Sequence, residues 1–146
     1  MAKEFWPAYF SRLDETEYYQ PDERIYKTIE AIHDILPIGL LSNSEPDRVD
    51  RTLRTVNIDP SWFTYVLTSH DITEPKPDPQ GFELMIKRSR LVANEIMFVG
   101  DREDVDILPA KRLGIVTVMV WGVSPVAEYS MNGLSDLPSL VQKLIS

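Results

Sequence analysis

The sequence predicts an α/β fold, a Rossmann-like parallel sheet of about four strands flanked by helices. Three observations predict it. From Ile38 onward, a short β-rich apolar run, a polar loop and a helical periodicity recur in that order. The runs are apolar throughout rather than alternating, as strands buried on both faces require. The chemically distinctive residues fall just after these runs, and parallel sheets bind ligands at the carboxyl ends of their strands.

Before the first run, an aromatic segment (Phe5, Trp6, Tyr9, Phe10, Leu13) reads as helical and ends at a polar break near Gln20-Pro21-Asp22. A second helix follows, with Ile25, Ile29, Ile32 and Leu36 on its inner side. The first strand is Ile38 to Leu41, followed by Ser42-Asn43-Ser44 and a helix carrying Val49, Leu53 and Val56. The second strand, Tyr65 to Thr68, leads into the long loop Ser69 to Pro79; Trp62, Phe63 and Tyr65 read as core at its entry. Asp78 reads as an N-cap and Pro79 as the first helical residue, ahead of Phe82, Met85 and Ile86 on one face.

The third strand, Ile96 to Val99, ends in Gly100-Asp101; its helix carries Ile107, Leu108 and Ala110, and Gly114 reads as the residue that closes it. The fourth strand, Ile115 to Val120, ends near Trp121-Gly122, and a last helix aligns Leu137, Leu140, Val141 and Leu144. The domain expectation is residues 1–20 as a docking helix or remnant of a helical cap, and 21–146 as the α/β core.

Composition narrows the function classes. The chain has 23 acidic against 15 basic residues and a net charge of -8, which argues against nucleic acid and anionic membrane as partners. With no cysteine, disulfide and thiolate chemistry are excluded. The N-terminus lacks a signal-peptide pattern, and the longest apolar run, Ile115 to Val123, is shorter than the ~20 residues a spanning helix needs. A cytoplasmic location is the expectation.

Three places invite a chemical reading. Asp101 and Asp106 place carboxylates at a strand end; they read either as hard oxygen ligands for Mg²⁺ or as an acidic helix start complementing the dipole. Lys76 sits in Glu74-Pro75-Lys76-Pro77-Asp78-Pro79, where prolines stiffen the loop. It reads as a cation held for a phosphoryl group, or as a solvated turn lysine. Ser42, with Asn43 behind it, offers a hydroxyl and backbone N–H groups to phosphate oxygens, or simply caps a helix. No G-x-S-x-G elbow marks Ser42 as an acyl-transfer nucleophile. His33 and His70 read as structural or solvated.

Taken together, Leu40-Leu41-Ser42-Asn43, then Lys76-Pro77-Asp78-Pro79, then Val99-Gly100-Asp101 with Asp106, resemble the second, third and fourth motifs of the haloacid-dehalogenase-like hydrolases. The separations, 34 residues from Ser42 to Lys76 and 25 from there to Asp101, resemble the phosphatase-like branch with a helical cap. The closing Gly133-Leu134-Ser135-Asp136-Leu137 is similar as well. The resemblance implies phosphomonoester hydrolysis of a small phosphorylated substrate, with an aspartate nucleophile and a phosphoaspartyl intermediate. It also implies Mg²⁺ held at Asp101 and Asp106, charge balance and catalysis by Lys76 with Asp101, and phosphate binding by Ser42, Asn43 and Lys76.

Two departures stand out. Arg102 replaces a small hydroxyl residue common in the family. The first motif, an apolar strand ending in D-x-D-x-[TV], is absent, and with it the nucleophile and the central first strand. The expectation is then a sheet whose two middle edges pair directly, are filled by another segment or by self-association, or belong to a truncated piece of a longer protein. The alternative function is a catalytically inactive binding or assembly module, and a response-regulator-like phosphoacceptor is a weaker third reading.

Overall fold

A computed structural model describes residues 4–7 and 22–146. Its elements in chain order are β1 (Glu4–Pro7), α1 (Glu23–His33), β2 (Ile38–Leu41), α2 (Pro46–Thr55), β3 (Phe63–Leu67), α3 (Gln80–Ser89), β4 (Ile96–Gly100), α4 (Leu108–Arg112), β5 (Val116–Val120), β6 (Tyr129–Met131) and α5 (Leu137–Ile145). All strand pairs are parallel, in the order β3-β2-β1-β4-β5-β6. Every strand therefore ends on one edge.

The parallel α/β class agrees with the expectation, but the sheet has six strands instead of about four. The middle position, where the family's first motif is missing, is held by the chain's own residues Glu4–Pro7, the alternative in which another segment fills the gap. Their backbone pairs Phe5 with Ile38 on one side and Glu4 through Pro7 with Ile96 through Val99 on the other. Phe5 and Trp6 were expected in a helix. They form a strand because β2 and β4 present two open edges whose N–H and C=O groups need partners, and aromatic residues suit a pleated sheet. Pro7 is the last residue of β1, and having no N–H to donate it ends the ladder there. Tyr9, Phe10 and Leu13 lie outside the described residues. The sixth strand, Tyr129–Met131, was also unforeseen; three residues are too few to display a period.

The two faces of the sheet divide the core. Leu40, Met97, Val99, Val118 and Val120 turn toward Ile29 and Ile32 of α1, Val49 and Leu53 of α2, and Leu137 and Val141 of α5. Leu41, Ile96 and Phe98 turn the other way, against Phe82 and Met85 of α3 and Ala110 of α4. Neighbours in one strand thus serve opposite faces, which explains their unbroken apolar sequence.

Helix boundaries follow local chemistry. Asp22 caps α1 by accepting from the Arg24 amide at 2.9 Å. Asp78 accepts from the Gln80 amide at 2.9 Å, so α3 begins just beyond the expected Pro79. Gly114, at φ +86°, closes α4 as expected. Among the described residues no helix is long and apolar enough to cross a membrane.

Candidate active site

Asn43, Lys76 and Asp106 come from three separate stretches of chain and meet above the ends of β2 and β4. Lys76 Nζ donates to Asp106 Oδ1 at 2.8 Å, and both side chains are fully buried. The ring of Phe98 lies 5.5 Å beneath the ammonium and adds a cation–π contact. Asn43 holds the Lys76 backbone reciprocally: its Oδ1 accepts from the Lys76 N–H at 2.9 Å and its Nδ2 donates to the Lys76 carbonyl at 3.1 Å. The proline-flanked loop is thus tied to the β2 edge by one amide side chain.

Asp106 is fixed from the other side as well. The Arg102 amide donates to its Oδ2 at 3.2 Å. The Arg102 carbonyl accepts from the amides of Asp106, at 2.9 Å, and Ile107, at 3.3 Å. The second of these bonds is the five-residue step of a π turn, which spans Glu103–Ile107. Such wide turns reposition a side chain relative to a regular helix. Here the turn brings Asp106 back over Gly100, where a built Cβ would lie 2.4 Å from Asp106 Cβ and 2.9 Å from its Oδ2. Glycine is required at the end of β4 by this close approach, not by its φ angle.

Ser42 is buried; its hydroxyl accepts from the Ser44 amide at 3.1 Å, and its own amide donates to the Leu67 carbonyl at 2.9 Å. Asp101 follows Gly100 directly at the same edge, half-buried. The structure therefore joins Asn43, Lys76 and Asp106 by direct bonds and sets Ser42 and Asp101 on the adjoining strand ends. Among the described residues there is no group of three or more His, Cys, Asp or Glu side chains arranged to hold a metal ion. Mg²⁺ needs only one or two carboxylates with water. Of the two carboxylates expected to hold it, Asp101 lies half-buried at the strand end and Asp106 bonds Lys76 and the Arg102 amide. His33 stacks on Trp62 at 5.4 Å, and His70 pairs with Glu45 at 2.9 Å on the exposed surface.

The loop after β5 braces the start of the π turn. The buried Ser124 donates its hydroxyl hydrogen to Glu103 Oε2 and accepts from the Val126 and Ala127 amides at 3.1 and 3.2 Å. Glu128 accepts from the Thr117 amide at 2.8 Å and from the Thr117 hydroxyl, with Lys111 at 3.7 Å. Burial opposes its charge, but the bonds from Thr117 and the nearby Lys111 prevail and hold its carboxyl below the usual carboxylate range.

Two participants were not foreseen. Phe98 was counted only as strand core, although every second residue of β4 faces the helices that carry the site. The Arg102 backbone was not foreseen either, because the sequence around it shows no sign of a π turn.

This geometry agrees with what the chain resembles. The haloacid dehalogenase-like hydrolase family model matches residues 2–114, and the chain belongs to that family. It is 32% identical over 116 residues to the glyceraldehyde 3-phosphate phosphatase of Methanocaldococcus jannaschii, covering 75% of this chain and 50% of that protein. Among solved structures, a haloacid-dehalogenase-superfamily hydrolase of Geobacter sulfurreducens superimposes with a TM-score of 0.70 at 28% identity, covering 82% of this chain and 60% of the other. An uncharacterized protein from Listeria monocytogenes serotype 4b shares the fold at a TM-score of 0.75 and 18% identity, over 99% of both chains. The chain spans about half the length of the curated relatives it matches.

Proposed function

We propose that the sheet edge around Lys76 and Asp101 is the phosphate- and metal-binding part of a phosphohydrolase site. Its substrate would be a small phosphorylated molecule, its cofactor Mg²⁺ and its setting the cytoplasm. The observation that carries this reading is the fully buried Lys76–Asp106 pair at 2.8 Å, held by Asn43 and the Arg102 amide. A buried ion pair is not an economical way to stabilise a fold, because desolvation offsets most of its attraction. A preorganised cation beside a strand end is useful where charge develops on a phosphoryl group.

The residues divide the work. Lys76 offsets phosphoryl charge, with Asp106 holding its ammonium in place. Ser42, Asn43 and the amides after β2 orient phosphate oxygens. Asp101 would hold the metal, with water completing the shell; bound Mg²⁺ would supply charge neutralisation. In-line attack needs a carboxylate at the end of the central strand. There the sequence reads Pro7-Ala8, and the next acidic residue is Asp14. Hydrolysis is thus assigned to a protein in which an aspartate stands at that place.

The test is to supply the nucleophile. Pro7→Asp or Ala8→Asp is expected to confer Mg²⁺-dependent hydrolysis of an aryl phosphate, and adding Lys76→Gln should abolish it. Calorimetry with inorganic phosphate tests binding separately; no binding to the unaltered chain, or equal binding by Lys76→Gln, refutes the reading. A second reading is an inactive binding or assembly module. It is favoured by the central strand being filled yet ending in Pro7, and by the complete burial of the Lys76 side chain. Phosphate binding with no turnover in either aspartate variant selects it.

A further inference from the structure

We propose that Arg102 is a specificity-determining residue that reads a second anionic group, a carboxylate or a second phosphate, on the phosphorylated ligand. This rests on the reading of Lys76 and Asp101 as a phosphoryl site.

The backbone of Arg102 is pinned at both ends. Its N–H is spent on Asp106 Oδ2 and its carbonyl on the amides of Asp106 and Ile107. Its Cα is therefore fixed next to Asp101, two residues beyond Gly100, the strand end on which Asp106 closes. The side chain contributes nothing to that anchoring. It extends into solvent, 44% exposed, and meets Asp104 Oδ2 at 3.3 Å; Asp104 is itself 72% exposed.

An ion pair that open is worth only ~0–1 kcal/mol, so a ligand anion can displace it at small cost. Asp104 also borders a cleft that it shares with the backbone of Lys76 and with Glu74, Asp78 and Arg112, so the partner of Arg102, though not Arg102 itself, lines the surface over the Lys76 loop. A guanidinium offers a planar pair of donors that matches a carboxylate or phosphate in a bidentate fashion. Lys76 is buried and already paired with Asp106, so it has nothing to offer a second anion. Arg102 supplies an accessible cation for whatever anion lies beyond. A small hydroxyl residue at this position would serve the backbone equally well, so the side chain calls for a separate use.

Three non-hydrolysable probes test this on the full chain with Mg²⁺: methylphosphonate, methylenediphosphonate and phosphonoacetate. Calorimetry is expected to find at least one of the two dianionic-group probes binding about tenfold tighter than methylphosphonate. Preference for methylenediphosphonate identifies the second group as phosphate, and preference for phosphonoacetate identifies it as carboxylate. In Arg102→Gln the ratio should fall to near one, and Arg102→Lys should restore it only partly because the fork is lost. Asp104→Asn, which releases the guanidinium, should raise the ratio. Equal affinity for all three probes in the unaltered chain, an unchanged ratio in Arg102→Gln, or a lower ratio in Asp104→Asn overturns the proposal. Loss of all binding on Lys76→Gln, with the ratio in the unaltered chain intact, supports both readings. If none of the probes binds the unaltered chain, the phosphoryl-site reading fails and this one with it.

Discussion

Lys76 and Asp106, 30 residues apart in the chain, meet at 2.8 Å with neither side chain exposed. Each charge is tolerated in the interior only because the other is there. Removing one partner strands a buried charge, and such losses typically cost ~3–5 kcal/mol. Asp106→Asn and Lys76→Met should each destabilise on that scale in urea unfolding. The double variant Lys76→Met/Asp106→Leu should recover most of the loss while binding no phosphate. Strictly additive losses in that cycle would show that the pair is not coupled.

Gly100 lies where Asp106 folds back over the end of β4. Alanine would put a Cβ 2.4 Å from Asp106 Cβ, so backbone or side chain must move. Overpacking of this kind costs ~1–3 kcal/mol. Gly100→Ala is expected to destabilise within that range and to weaken phosphate binding, since the displaced group is the partner of Lys76. A variant as stable as the parent, binding phosphate equally well, would contradict the contact.

Asn43 makes two hydrogen bonds to the backbone of Lys76 and none of its carboxylate analogue's charge is wanted there. Asn43→Asp keeps the acceptor for the Lys76 N–H but turns the donor to its carbonyl into a second acceptor. We expect ~1–3 kcal/mol of destabilisation, with Asn43→Ala similar. Heteronuclear NMR should report the loosening at the amides of Glu74 and Lys76 before the rest of the protein. Unperturbed amide shifts in that loop would rule out the clamp.

Glu128 supplies a pH dependence with a definite sign. Its carboxyl is held below the ordinary value of 4.5, so the folded state favours the ionised form. Its contribution is therefore fully present above the unfolded-state value and is lost as pH falls through the folded one. Unfolding free energies of the parent and Glu128→Gln should differ by a constant amount near neutrality and converge below about pH 4.5. A gap that widens on acidification would reverse the assignment.

Much of the fold is legible in the sequence alone. The β-then-α alternation, the apolar runs of β2 and β4 and the terminal Gly114 are local patterns. Each is legible because strand and helix periodicities and cap preferences act over a few neighbouring residues. The start of α3 was misplaced by one residue, because Pro79 rather than Asp78 takes the N-cap position. The order of Ser42, Lys76 and Asp101 on successive strand ends was legible too, since a parallel sheet collects its strand ends on one edge.

Other features depend on pairings that no local pattern encodes. Glu4–Pro7 is a strand because two distant edges, β2 and β4, need the hydrogen bonds it provides; four aromatic-rich residues read alone fit a helix equally well. The π turn at Glu103–Ile107, the approach of Asp106 to Gly100, and the choice of Asp106 as partner to Lys76 all arise once α4 settles on the sheet. The missing aspartate could be seen in the sequence. That its place would still be filled by a strand, ending in proline, required the whole sheet, because hydrogen-bond demand across an open edge is long-range and belongs to the assembled fold.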